Sequence, residues 1–266
     1  MASAIRAELR KIFTTRLWWG MAIGMVVVGG GLAAVLAALA GSNAGGPNAL
    51  PSLDQPGMVN TVFTAGLSFG YLLTLAVGVM TIGSEYRHKT ITSTFLSTPR
   101  RVRVMLAKVV ALLVVGVFYG LVFTVSSVAV GATIITLRGF NAFPSSENVP
   151  RTLALSLLAL GLWALIGLGT GILISNQVAA LLISIGIAWI GQFLFILILN
   201  AVGWTSATKF LPSEATSAMV GQITGNGGNG PTVEHLTWWA AALVLAGYAA
   251  VLAGVGSTLT IRRDVS

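Results

Sequence analysis

Six stretches of this chain stay apolar over Leu17–Ala40, Thr61–Ile82, Val104–Leu137, Thr152–Ile174, Val178–Asn200 and Leu236–Leu259. Each reaches the roughly 20 residues that carry an α-helix across a hydrocarbon core of about 30 Å. No other feature restricts the fold so strongly. Lipid offers the backbone no hydrogen-bond partner, so a spanning segment must be a helix or part of a closed barrel. Continuous apolar runs lack the alternation of barrel strands. The chain is 55% hydrophobic and only 8% charged, whereas soluble domains carry about 25% charged residues. The expectation is an all-α, polytopic membrane protein with six transmembrane helices in one domain over residues 1–266.

The charges set the orientation. Of the fifteen Lys and Arg residues, twelve fall on one predicted side: Arg6, Arg10, Lys11, Arg16, Arg87, Lys89, Arg100, Arg101, Arg103, Lys108, Arg262 and Arg263. Only Arg138, Arg151 and Lys209 fall on the other. The positive-inside rule then puts both termini in the cytoplasm. It also accounts for the net charge of +8 without nucleic acid, for which there is no aromatic-interleaved basic domain. The absence of cysteine excludes disulfides, thiolate catalysis and cysteine metal sites.

Ahead of the first span, Ile5, Leu9, Ile12 and Phe13 share one helical face, while Arg6, Glu8, Arg10, Lys11 and Thr14 cover the remainder. This pattern predicts an amphipathic interfacial helix over residues 1–16. In the second span, Thr61, Thr64, Ser68 and Tyr71 share a face that either packs on another helix or lines a path. The third span, at 1.5 Å per residue, is about 50 Å long, more than the core requires, so it tilts or projects at its basic end. Glycines at 161, 167, 169 and 171 suit the fourth span to close helix contact. Ser175–Gln177 is a tight turn, and residues 201–235 form a less regular outer segment with a helix start at Pro212.

Catalytic motifs are absent or misplaced. No GxxxxGK[ST] loop exists to cradle phosphate. Gly167–Gly171 lies inside a span with no preceding strand, and Gly66–Gly70 fits G-x-S-x-G but is also within a span. An intramembrane hydrolase with Ser68 as nucleophile would need a nearby base, and the two histidines, His88 and His235, fall in predicted loops. The scattered His and carboxylate residues form no metal-ligand cluster. No charge is expected deep in a span, which argues against ion coupling and makes an external motor necessary.

The most polar and basic stretch, Gly83–Lys108, carries the resemblance. Glu85-Tyr86-Arg87-His88-Lys89-Thr90, followed by Thr94-Phe95-Leu96-Ser97-Thr98-Pro99-Arg100-Arg101, is similar to the first cytoplasmic loop of ABC-2-type permeases, the membrane subunits of bacterial ABC exporters. The amphipathic start before six spans and the outer segment containing Leu211-Pro212 resemble the same family. The resemblance implies a bacterial plasma-membrane permease that pairs with a second copy or paralogue. A separate ATPase subunit would hold ATP and Mg and drive it, and this chain would contain no cofactor.

It further implies a coupling helix from about Ser84 to Thr98, within a coupling loop over 84–103. Glu85, Arg87, Lys89, Thr90, Ile91, Thr94 and Phe95 would meet the ATPase there, with Ile91 and Phe95 as the apolar anchor. The alternative reading of the basic residues is that they hold topology and touch anionic lipid. Arg100–Lys108 would then seat the third span as a basic anchor. Asn176 would mark a second, smaller contact. Thr64, Ser68, Tyr71, Trp189, Gln192 and Phe193 would line the pathway, and residues 201–221 would form re-entrant outer helices. An uncharged pathway favours amphiphilic or lipophilic cargo such as a drug, lipid or hydrophobic peptide. A membrane assembly or sensory subunit that moves nothing would carry the same sequence features.

Overall fold

The computed structural model describes residues 1–42, 50–88, 101–174, 176–221 and 236–262. It is 83% helical, with no strand among the described residues. Six helices are long and apolar enough to cross a membrane. In chain order the elements are α1 (Ala2–Phe13), α2 (Leu17–Leu39), α3 (Met58–Thr64), α4 (Leu67–Arg87), α5 (Arg101–Leu137), α6 (Val149–Leu173), α7 (Gln177–Gly186), α8 (Gln192–Ala201), α9 (Pro212–Val220) and α10 (Trp238–Arg262). A π-helical turn at Ile187–Gly191 joins α7 to α8 into one span, and a 3₁₀ turn at Thr205–Phe210 precedes α9.

The predicted second span is two helices. Its backbone breaks at Ala65-Gly66 because it lies directly on α2: a Cβ at Gly66 would come 2.4 Å from the Val28 carbonyl oxygen. The break frees the Phe63 carbonyl, and the Ser127 hydroxyl of α5 donates to it at 2.6 Å. A buried carbonyl without a partner would be unfavourable.

α4 and α6 form the centre of the bundle. Of the second and fourth spans, 78% and 72% are buried, against 17% for the α7–α8 span. Gly78 and Gly167 let the two central backbones touch: a Cβ at Gly78 would meet the Ala164 carbonyl oxygen at 2.0 Å, and one at Gly167 the Leu75 carbonyl oxygen at 2.1 Å. Small residues at such crossings are the usual device for packing helices in lipid. Gly169 makes the same close approach to Leu252 of α10. The Gly167–Gly171 stretch is therefore a packing surface.

The end of the bundle opposite α1 is clamped by charged groups. Both carboxylate oxygens of Glu147 accept from the start of α3, Oε1 from the Gly57 N–H at 2.8 Å and Oε2 from the Asn60 N–H at 2.9 Å. A carboxylate at a helix N-terminus satisfies orphan donors and complements the dipole. The Arg138 guanidinium donates to the Ala37 carbonyl in the last turn of α2 at 2.6 Å. Arg151 lies 4.5 Å from the ring centroid of Trp238, tying the start of α6 to that of α10.

Candidate functional site

At the basic end, α1 packs on the first turns of α5 and delivers a carboxylate into the bundle. Glu8 is only 5% exposed, Glu85 6% and Lys108 1%. The Lys108 ammonium donates to Glu8 Oε2 at 2.5 Å and to Glu85 Oε1 at 2.9 Å. The Lys11 ammonium, half-exposed, donates to Glu8 Oε1 at 2.7 Å and Glu85 Oε1 at 2.9 Å. Two lysines and two glutamates make a group of zero net charge. Burying any of these charges alone would be unfavourable by several kcal/mol. Burial pushes the Glu8 carboxyl up, but Lys108 and Lys11 outweigh it and hold the group below its ordinary 4.5. Burial pulls Lys11 down, but its hydrogen bonds to Glu8 and Glu85 outweigh that and hold it above its ordinary 10.5.

Two sequence expectations are corrected here. Glu8 does not lie on the polar face of α1. It falls at i+3 from Ile5 and i−4 from Ile12, and points inward with them. Lys108 is not a basic anchor in the lipid interface but a buried counter-ion. The charge-free reading of the spans also fails at this point, since Lys108 lies two turns inside α5. The spacing of Glu8 within the apolar stripe was the available signal. What sequence spacing lacks is the partner, 100 residues away.

The ion group ties together the two helices that flank the predicted coupling loop, with Glu85 in the last turn of α4 and Lys108 two turns into α5. The predicted coupling helix does not begin at Ser84. Residues 84–87 complete α4, and the Ser84 hydroxyl donates back to the Thr81 carbonyl. Of the predicted coupling residues, Glu85 is in the ion group and Arg87 is exposed one residue before the α4 cap, His88. Lys89, Thr90, Ile91, Thr94 and Phe95 lie outside the described residues. Asn176 caps α7: its side-chain oxygen accepts from the Val178 and Ala179 N–H groups at 3.0 and 3.1 Å. The adjacent Gln177 packs on Gly83, where a Cβ would come 2.8 Å from Gln177 Cγ. The predicted turn contact thus lies beside the last turns of α4.

The predicted pathway residues divide. Thr64 is buried and its hydroxyl donates to the Asn60 carbonyl at 2.7 Å. Ser68 is exposed. The Tyr71 ring stacks on Trp163 of α6, with centroids 4.1 Å apart and planes at 11°. Trp163 Nε1 donates to Thr216 Oγ1 of α9 at 2.9 Å. Gln192 Nε2 donates to the Ala188 carbonyl, and Gln192 Oε1 accepts from the Ser213 N–H at 2.6 Å, capping α9 from another helix. Trp189 meets the edge of Phe69 at 5.2 Å, joining α4 to the π-helical turn. Phe193 is exposed on the outer surface of its span.

Tyr71 and Gln192 therefore converge on one short helix, α9, which reaches the middle of α6 from the end opposite α1. Trp163, Thr216 and Phe69 were missed as site residues. The signal for Trp163 was an indole N–H inside an apolar run, which requires an acceptor. The distance between Ser68 and His88, at opposite ends of α4 and about 30 Å apart by helical rise, removes His88 as a base for Ser68. Among the described residues no group of His and carboxylate side chains could hold a metal.

Six apolar helices around a glycine-packed centre, with a basic end, define a multi-pass membrane protein. The profile of the family described as "ABC-2 family transporter protein" matches residues 4–195. The chain belongs to that family, and so is a permease subunit of an ABC transporter that works with an ATPase partner. No curated protein matches the chain.

Proposed function

We propose that the chain is the permease of a bacterial ABC exporter, moving amphiphilic or lipophilic cargo outward as one of two paired permeases. Both termini and the basic end face the cytoplasm. ATP and Mg are held by the partner ATPase, which docks on the loop over 84–103 and on the turn at Asn176. The observation that carries the reading is the ion group of Glu8, Lys11, Glu85 and Lys108. It joins three elements at the foot of the proposed docking loop. Displacement of that loop would move α1, α4 and α5 together rather than bend one helix end. Tyr71 in the second turn of α4 and Trp163 in the middle of α6 form the seat on which α9 sits as an outer plug. Cargo would pass along the exposed edge of α4, beside Ser68, Phe69 and Trp189.

The test is a Phe95→Asp variant co-expressed with the ATPase subunit. It should insert and purify normally, yet lose cargo-stimulated ATP hydrolysis and transport in vesicles. Full coupling in this variant would remove Phe95 as the docking anchor. Intact chain that binds the ATPase but moves no cargo in any assay would instead indicate an assembly or sensory subunit.

A further inference from the structure

The span formed by α7, the π-helical turn and α8 buries a narrow line of residues. These are Ala180, Ser184, Ala188 and Gln192, each four after the last. Two of the four are polar, and both bond outside the span. The Ser184 hydroxyl donates to Thr170 Oγ1 of α6 at 2.9 Å. Gln192 Oε1 accepts from the Ser213 N–H of α9 at 2.6 Å. The line therefore leads from the helix capped by Asn176, at the basic end, to the start of α9 at the opposite end.

An unbroken α-helix would not keep these four residues in line. Each i+4 step overshoots a full turn by about 40°, so three steps would carry Gln192 about 120° round from Ala180. The π-helical turn at Ile187–Gly191 lies between Ser184 and Gln192 and takes up one residue more than an α-helical turn. That returns Gln192 to the bundle side, where it is 6% exposed, while Phe193 beside it is 61% exposed. The same turn supplies a partner for the side chain. The Gln192 N–H reaches the carbonyls of Ile187 and Trp189 and passes over that of Ala188, which an α-helix would assign to it. The Ala188 carbonyl takes Gln192 Nε2 instead, at 2.9 Å. A carbonyl only accepts and a backbone N–H only donates, so the two partners fix the amide in one orientation. A glutamine supplies both the donor and the acceptor without a charge.

We propose that Gln192 is the positioning residue of α9 rather than a contact for cargo, and that the π-helical turn aims it. α9 is then fully seated only while this span lies against α6. A displacement entering at the Asn176 turn reaches α9 through one side-chain amide. The consequence for transport rests on the reading of α9 as an outer plug; the positioning itself does not.

The experiment is hydrogen exchange of the full chain in lipid nanodiscs, read at α9 with α1 as the internal standard. Gln192→Leu removes both bonds and should speed exchange in α9 about tenfold, the factor for a buried hydrogen bond worth about 1.4 kcal/mol. Gln192→Met, closer in length, should do the same and covers the case in which Gln192→Leu fails to fold. Ser184→Leu acts two turns away, where the bulkier side chain props the span off Thr170. It should speed α9 exchange on the order of threefold, and in a Gln192→Leu background it should add nothing further. Unchanged α9 exchange in both Gln192 variants overturns the proposal. So does a Ser184→Leu chain with unchanged α9 exchange, or one whose effect is equally large with Gln192 present and absent, which would show a route to α9 that bypasses the amide. Transport is scored separately. Normal transport by a Gln192→Leu chain whose α9 exchange has risen would support Gln192 as the positioning residue and remove α9 as the plug.

Discussion

Lys108 has the most to lose of any side chain in the bundle. Its ammonium is held by two carboxylates from two other helices. Removing one member of a buried ion pair leaves an uncompensated charge and typically costs about 3–5 kcal/mol. Lys108→Met should therefore lower the thermal midpoint of the detergent-purified chain sharply. The paired exchange Glu85→Lys with Lys108→Glu should recover little of the loss, because the new carboxylate would face Glu8 and the new ammonium would face Lys11. An unchanged midpoint in Lys108→Met would show that the group carries little stability. The same contacts set a pH dependence. Glu8 lies below its ordinary pKa, so its contribution is present above pH 4.5 and is lost as pH falls through the folded value. Lys11 lies above its ordinary pKa, so its contribution is complete below pH 10.5 and is lost only as pH rises through the folded value. Hydrogen exchange at α1 should stay slow through neutral pH and speed up well below pH 4.5.

At the scale of elements, α9 illustrates how a short helix is held without length of its own. Nine residues are too few for a stable isolated helix. Its first turn is capped by Gln192, its middle is bonded through Thr216 to Trp163, and Ala215, Met219 and Val220 are buried. Pro212 at the first position presets the backbone, and Gly221 ends the helix with a positive φ of 67°. Thr216→Val keeps the side-chain shape and removes the acceptor for the Trp163 indole N–H. A buried donor left unpaired costs about 1–3 kcal/mol. Faster hydrogen exchange confined to α9, with α1 unaffected, is the expected result. Uniform protection across both helices would show that the Trp163 bond does not seat α9.

At the scale of the molecule, the spans sort into a centre and a periphery. α4 and α6 are enclosed, while the span formed by α7, the π-helical turn and α8 exposes Ile183, Ile187, Trp189, Ile190 and Phe193. In a membrane such a face meets lipid or another protein. The pairing proposed above places a second permease against it. The chain has no cysteine, so single cysteines report cleanly. Phe193→Cys should form a disulfide-linked dimer in membranes, whereas Leu243→Cys, equally exposed on α10, should not. Equal cross-linking at both positions would count against this face as the pairing surface.

Helix positions were legible from the chain because lipid makes apolar length decisive. The span ends differ from the sequence reading by only a few residues, except at the break near Gly66 and the continuation of α4 through Arg87. The one-sided distribution of Lys and Arg was equally legible, since it is a property of loops counted one at a time. The site was legible only in part. Ser68, Tyr71 and Gln192 could be chosen as polar groups in apolar runs, but nothing local could pair Tyr71 with Trp163 or Gln192 with Ser213. The sequence by itself determined that this is a helical, multi-pass protein with a basic end, because span length and loop charge are local quantities. The tertiary structure alone decided that Glu8, Glu85 and Lys108 belong together and that α9 is seated on α6. The charge on each ion is tolerable in the interior only when distant segments bring its partners within hydrogen-bonding distance.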